Sequence, residues 1–214
     1  MTVRDEQGGL HFLAFPRQGV AKEDMVLSLR RSGVIVTELV TETLLPAKAV
    51  LHERERASLS DAIQEASAMT AQVQGLSKHS KLGFHDNSPF YLAIEGFSFG
   101  STGNRLAQLS GYQYLFRYMM HAECGMEPAN FYVYAPMTVK ATAGKGNFKK
   151  EQMIEAFLAD SDPGLIVTQF WQALKNVPAE FQNKKGAWHK PIDDLIDSYW
   201  VLRTLEKNLL SSGV

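Results

Sequence analysis

The sequence predicts a mixed α/β protein, and three observations carry that prediction. Short apolar runs rich in β-branched and aromatic residues read as strands: Leu10 to Phe15, Val34 to Val40, Phe90 to Glu95 (FYLAIE), and FYVYAP starting at Phe131. Between them lie longer segments whose apolar residues recur at helical spacing. At 214 residues, with 45% hydrophobic and 21% charged residues, the chain suffices for one substantial core and is short for two. Strands separated by helices point to a mixed sheet flanked by helices in a single domain spanning residues 1–214.

Taken in order, the first strand follows a Gly8-Gly9 turn, and the Val34 to Val40 run is a second strand able to pair with it as a hairpin. Leu59, Ile63, Ala66, Met69, Val73 and Leu76 share one helical face, so a helix is expected from Ser58 or Ser60, with serine as its N-cap, to about Leu76. Leu76 to Pro89 has no periodicity and suits an exposed loop. FYLAIE leads into the glycine- and serine-rich turn GFSFGSTGN and then a helix from about Arg105 to His121. After FYVYAP comes a polar turn segment, VKATAGKGNFKK, and a helix beginning near Lys149. Pro163 to Phe181 is helical with a break at Pro178, and Pro191 opens a long terminal helix at the position where proline is favoured.

Charge and cysteine content narrow the function classes. A net charge of −1 and a pI of about 6.6 exclude a uniformly basic coat, so contact with nucleic acid requires a local patch. The single cysteine, Cys124, has no partner for an internal disulfide and no motif around it, which makes it a structural thiol. With no signal-like N-terminus and no apolar run of membrane-spanning length, a soluble cytoplasmic protein is expected.

Candidate chemistry begins at Glu95, which closes an apolar strand. A carboxylate there either meets solvent where the strand ends or is paired, hydrogen-bonded or metal-bound, because burial alone is costly. Asp194 and Asp197 stand three apart at the start of the last helix and project on one side of it. Asp193 and Asp194 complement the positive helix end, whereas Asp197 sits a turn deeper among Leu195, Ile196, Tyr199 and Leu202. Carboxylates gathered from separate elements suit Mg²⁺, which takes oxygen ligands; a pair of such ions activates water and stabilises the leaving oxygen in phosphodiester hydrolysis. Lys140, Lys145, Lys149 and Lys150 crowd a segment with Gly144 and Gly146, either a solvated loop or the local basic patch, and no Walker P-loop order is present. Phe97 and Phe99 are core residues or wedges against an unpaired base. His79, His85 and His189 share no metal-ligand spacing.

These signals align in order with a family pattern. YLAIEGFSFGSTGNRLAQLSGYQYLF resembles the RuvC block in which a strand ends in a metal-binding glutamate before an aromatic-rich turn and a helix. YAPMTVKATAGKGNFKKEQMIEAF resembles the next block, with its valine-lysine pair, glycine turn and lysine opening a helix. PIDDLIDSYWVL resembles the last block, two aspartates three apart at the start of the terminal helix. The likeness spans about residues 50 to 205 and implies an RNase H-like fold, a mixed sheet flanked by helices. It implies Glu95, Asp194 and Asp197 as ligands of Mg²⁺ or Mn²⁺, with Lys140 and Lys150 at positions that contact DNA phosphates near the scissile bond. It further implies a homodimer that resolves Holliday junctions, and the chain's size points to a bacteriophage version able to cut several branched forms. Residues 163 to 190 exceed the usual family length.

One departure stands out. The family opens with a strand bearing its first metal-binding aspartate, but VRDEQGGLHFLAF already resembles the second strand and its turn, which puts the first strand upstream of Met1. Asp5, in a polar turn, is a poor substitute. A late start, loss of the strand through inactivation, and rearrangement are the three explanations; the first is preferred because losing a central strand exposes sheet edges. A chain that truly begins at Met1 is expected to cleave weakly or not at all. Two further functions stay open: a catalytically silent, dimeric DNA-binding or assembly protein, and an RNase H-like nuclease of another specificity.

Overall fold

The computed structural model describes residues 1–5, 7–17, 22–40, 48–80, 90–96 and 104–213, with the backbone alone described at 77–80 and 104–109. Strand β1 (Thr2–Arg4) turns back at Asp5, whose side chain accepts hydrogen bonds from the N–H groups of Gln7 and Gly9, into β2 (Leu10–Ala14). The two run antiparallel with Thr2 opposite Phe12 and Arg4 opposite Leu10. Helix α1 (Glu23–Arg31) follows, acidic in its first turn and basic in its last as the helix dipole favours, burying Met25, Val26 and Leu29. Gly33, at φ 77°, then reverses the chain into β3 (Ile35–Val36).

Three expectations need correction here. β3 is shorter than the Val34 to Val40 run and pairs with β2 in parallel, so the two do not form a hairpin. The intervening α1 forces that outcome, since a helical crossover returns the chain in its original direction. Helix α2 (Leu51–Ser80) begins well before the serines taken as its N-cap; Glu53 accepts from the Val50 N–H at its start.

Beyond residues 81–89, where most of the expected loop falls outside the described residues, β4 (Leu92–Glu95) leads toward helix α3 (Asn104–Cys124). A 3₁₀ turn at Pro128–Asn130 precedes β5 (Phe131–Tyr134), parallel to β4 with Leu92 opposite Phe131 and Glu95 opposite Tyr134. The segment read as a polar turn is helix α4 (Pro136–Ala143), so Lys140 stands on a helix; Pro136 supplies a preset first turn. The Gln152 side chain accepts from the Lys149 N–H to open α5 (Lys150–Ala159). The 163–181 region is helical and breaks at Pro178 as expected, comprising α6 (Pro163–Ile166), α7 (Gln169–Asn176) and a 3₁₀ turn at Pro178–Phe181. Asp162 and Thr168 cap the two helices through their side chains. Pro191 precedes α8 (Ile192–Ser212) as its N-cap instead of opening its first turn, and Gly213 ends it in the left-handed region.

The chain is thus mixed α/β, with α8 as its central post. Ile192, Leu195, Ile196, Tyr199 and Trp200 are buried on α8 against Phe12, Phe157, Phe170 and Leu174. Edge-on ring contacts join Phe157 to Tyr199 and Tyr199 to Trp200, each at 5.1 Å. On the opposite face of β4 and β5, Val73 of α2 and Met120 of α3 form a second cluster with Leu92 and Phe131.

Strand alternation fixes which side chains meet which layer. In β4, Leu92 packs toward α2 and α3 and Ala93 toward the α8 core, so Glu95 shares the α8 side with Ala93. In β1, Thr2 bonds to Ser198 of α8 and Arg4 to Glu206, whereas Met1 and Val3 pack on the α2 side near Val73, Leu76 and Leu13. β1 and β4 therefore lie in one layer between α8 and the α2–α3 pair, although among the described residues no backbone hydrogen bond joins their sheets.

Candidate functional site

Glu95, Asp194 and Asp197 line a single cavity of about 800 Å³ bounded by β1, β4, α2, α3 and α8 from Asp194 to Leu209. Residues about a hundred positions apart in the sequence are brought together because β4 ends at Glu95 on the α8 side, and the three-residue spacing turns Asp194 and Asp197 toward the same wall. Asp197 is half-buried and its carboxyl is pushed up to about 6, first by desolvation and then by the charge of Glu95. Glu95 is also shifted upward by burial, with Lys140 of α4 pulling the other way. Asp194 stands at the exposed rim; partial desolvation and Asp193 raise it, opposed by Lys190 and Lys150. The three carboxylates form an electrostatically strained group that a cation would relieve.

The lysines divide. Lys150 pairs with Asp193, and that hydrogen bond holds its ammonium above the ordinary lysine range. Asp193, which the sequence offered only as a helix-dipole residue, is buried and so acts as the anchor that positions Lys150 beside Asp194 and Asp197. Spacing alone gave no sign of this, because Lys150 lies 43 residues away. Lys140 is half-buried near Glu95, and Lys145 and Lys149 are exposed on the turn between α4 and α5. That turn closes tightly: a Cβ at Gly146 would sit 3.2 Å from the Met137 carbonyl oxygen.

Phe97 and Phe99 lie outside the described residues, as does His85. His189 contributes its backbone, donating to the Phe181 carbonyl and accepting from Ile192 at the entry to α8. Cys124 is buried and its thiol is pushed up to about 11 by that burial, which suits a structural role. The N-terminal ammonium of Met1 donates to the Leu13 carbonyl at 2.8 Å and is pushed down to about 5 by burial, with Asp194 acting in the opposite sense.

The donor set matches a hard divalent cation in kind, being all carboxylate. Its spacing is looser than a closed metal centre: among the described residues no three His, Cys, Asp or Glu side chains converge closely enough to hold an ion. Nor, among the described residues, is any helix long and apolar enough to cross a membrane. No protein-family model, curated protein or solved structure matches the chain.

Proposed function

We propose that the chain is an RNase H-like nuclease of the RuvC type, acting as a homodimer on four-way or other branched DNA. The observation that supports this reading is that Glu95, Asp194 and Asp197 line the same cavity, with the charges of Lys140 and Lys150 acting on Glu95 and on the two aspartates. Glu95, Asp194 and Asp197 would hold Mg²⁺ or Mn²⁺, which when bound supplies an activated water and charge stabilisation at the leaving oxygen. The chain's own groups do the rest. Lys145 and Lys149 draw the phosphate backbone to the rim, Lys140 offsets the charge of Glu95, and Asp193 keeps the Lys150 ammonium directed at the site. Raised carboxyl values at Asp197 and Glu95 favour proton uptake, so binding of a cation by these carboxylates would release protons.

A second reading, a catalytically silent DNA-binding or assembly protein on the same framework, draws on the loose spacing of the carboxylates. A synthetic four-way junction and a matched linear duplex, each tested with and without Mg²⁺, separate the two. Metal-dependent cutting of the junction that Glu95→Gln and Asp194→Asn abolish is the expected result. Selective junction binding without cutting would favour the silent protein. Equal affinity for junction and duplex would remove both readings.

A further inference from the structure

Between α5 and α8 the chain carries a segment that the carboxylate cavity does not use, and its last residues, Gln182 to Lys190, form a basic hairpin. Gln182 bridges Trp188 in antiparallel fashion. The Asn183 N–H donates to the Ala187 carbonyl and the Gly186 N–H to the Asn183 carbonyl, both at 2.8 Å. The Asn183 side-chain oxygen accepts from the N–H groups of Lys185 and Ala187, at 2.8 and 3.2 Å. Gly186, at φ 77°, takes a left-handed conformation that a side chain would resist. Below the tip, Trp188 packs on the main core, to which buried Phe181 belongs, and the Phe181 carbonyl accepts from the His189 N–H. The tip is therefore a fixed projection.

Its charge is one-sided. Residues 177–192 hold Lys184, Lys185 and Lys190 against Glu180, in a chain whose net charge is −1. Lys184 and Lys185 are exposed, and among the described residues neither has a carboxylate within ion-pair distance. Lys190 links the hairpin to the acidic site: it stands 4.0 Å from Asp194 and, with Lys150, opposes the upward shift of that carboxyl. Lys150 reaches the same first turn of α8 from α5, through Asp193. Two basic elements thus converge there, the α4–α5 turn with Lys145, Lys149 and Lys150, and the hairpin with Lys184, Lys185 and Lys190.

The hairpin also has the reach of a nucleic-acid contact. Lys185 precedes Lys190 by five residues, so the tip stands at most about 17 Å from the rim of the cavity. Over about 17 Å of helix axis a DNA duplex presents roughly ten phosphates. A duplex with one phosphate at the carboxylates therefore has others within range of the tip. A lipid surface suits it less, because Asn183, Lys184, Lys185, Gly186 and Ala187 offer no large apolar side chain to insert. Since the hydrogen bonds already hold the turn, docking on phosphates orders little further backbone.

We propose that the 182–190 hairpin is a second DNA-contacting element, in which Lys184 and Lys185 hold phosphates of a duplex arm while the cleavage site engages the strand beside Asp194. This role rests on DNA being the ligand and adds the element that holds the arm. It supplies affinity and placement without sequence preference, because phosphates carry no sequence information.

The test measures dissociation constants of the 214-residue chain for a four-way junction and a linear duplex across a monovalent salt series, in EDTA and again in Ca²⁺. Lys184→Ala/Lys185→Ala is compared with Lys184→Arg/Lys185→Arg and with Lys207→Ala, which removes an exposed cation near the far end of α8. The alanine pair is expected to weaken junction binding by about tenfold or more at 0.1 M salt and to lower the slope of log affinity against log salt by about 1.8, roughly 0.9 for each lost phosphate contact. The arginine pair should keep the parent slope, Lys207→Ala should change it by less than about 0.5, and Tm should be the same in all four proteins. An unchanged affinity and slope in the alanine pair, with the parent still binding DNA, would overturn the hairpin's role and leave the nuclease reading standing. An equal loss per charge from Lys207→Ala would overturn it too, as a diffuse effect of net charge. Binding of anionic phosphatidylserine vesicles that the alanine pair loses while DNA affinity is unchanged would assign the tip to a membrane instead. A parent chain that binds neither DNA in either buffer would remove both the hairpin's role and the nuclease reading.

Discussion

Asp197 shows how a single residue is placed by its surroundings. Its carboxyl, near 6 in the folded chain against an ordinary 3.8, binds a proton more tightly folded than unfolded. Its contribution to stability is therefore fully present below about pH 4 and is lost as pH rises through 6. Asp197→Asn is expected to raise Tm by about 3 °C or more at pH 7.5, the scale set by roughly 1–3 kcal/mol of relieved ionisation energy, and to change little at pH 4. Melting curves at the two pH values check this; a lower Tm at pH 7.5 would contradict it. The sequence marked Asp197 as the deeper of its pair because its neighbours on the helix are apolar. It could not show that Glu95 supplies part of the strain, since that depends on where a strand 102 positions earlier comes to rest.

At the scale of elements, β1 is docked through polar contacts as much as through apolar ones. Arg4 pairs with Asp162 and Glu206, and Arg203 bridges the same two acids. Asp162 is almost wholly buried and would keep only Arg203 as its cationic partner, so Arg4→Ala should destabilise by about 1–3 kcal/mol, a loss that denaturant melts would register. Gly164 lies against the same turn, and a Cβ there would sit 2.4 Å from the Gly8 carbonyl oxygen. That oxygen is backbone and has little room to move, so Gly164→Ala should cost about 1–3 kcal/mol by the same measurement, whereas Gly186→Ala, with open space around it, should show mainly the smaller penalty of its positive φ. Sequence pattern located β2, β4, β5, α3, α5 and the 163–181 helices closely, because each carries its own period or cap. It missed α1, whose nine residues span too little chain for an unmistakable stripe, and it read α4 as a turn because glycine and lysine follow directly after it.

For the molecule as a whole, α8 touches α4, α5, β1, β2, β4 and β5 and so ties both groups of strands to α4 and α5. The amides of Tyr199 to Leu205 are expected to exchange only through global unfolding, while those of the two-residue β3 open locally. Native-state hydrogen exchange under increasing denaturant tests this, and a sub-global opening that releases α8 first would refute it. By itself the sequence determined the class of the fold, most of its helices and strands, and the presence of acidic residues at a strand end and a helix start, since those features are written in neighbours two to four residues apart. Tertiary structure alone decided that β3 joins β2 in parallel, that Asp193 anchors Lys150, and that β1 and β4 line one cavity beside α8. Each of those depends on which distant surfaces exclude water together, and local periodicity holds no record of that choice.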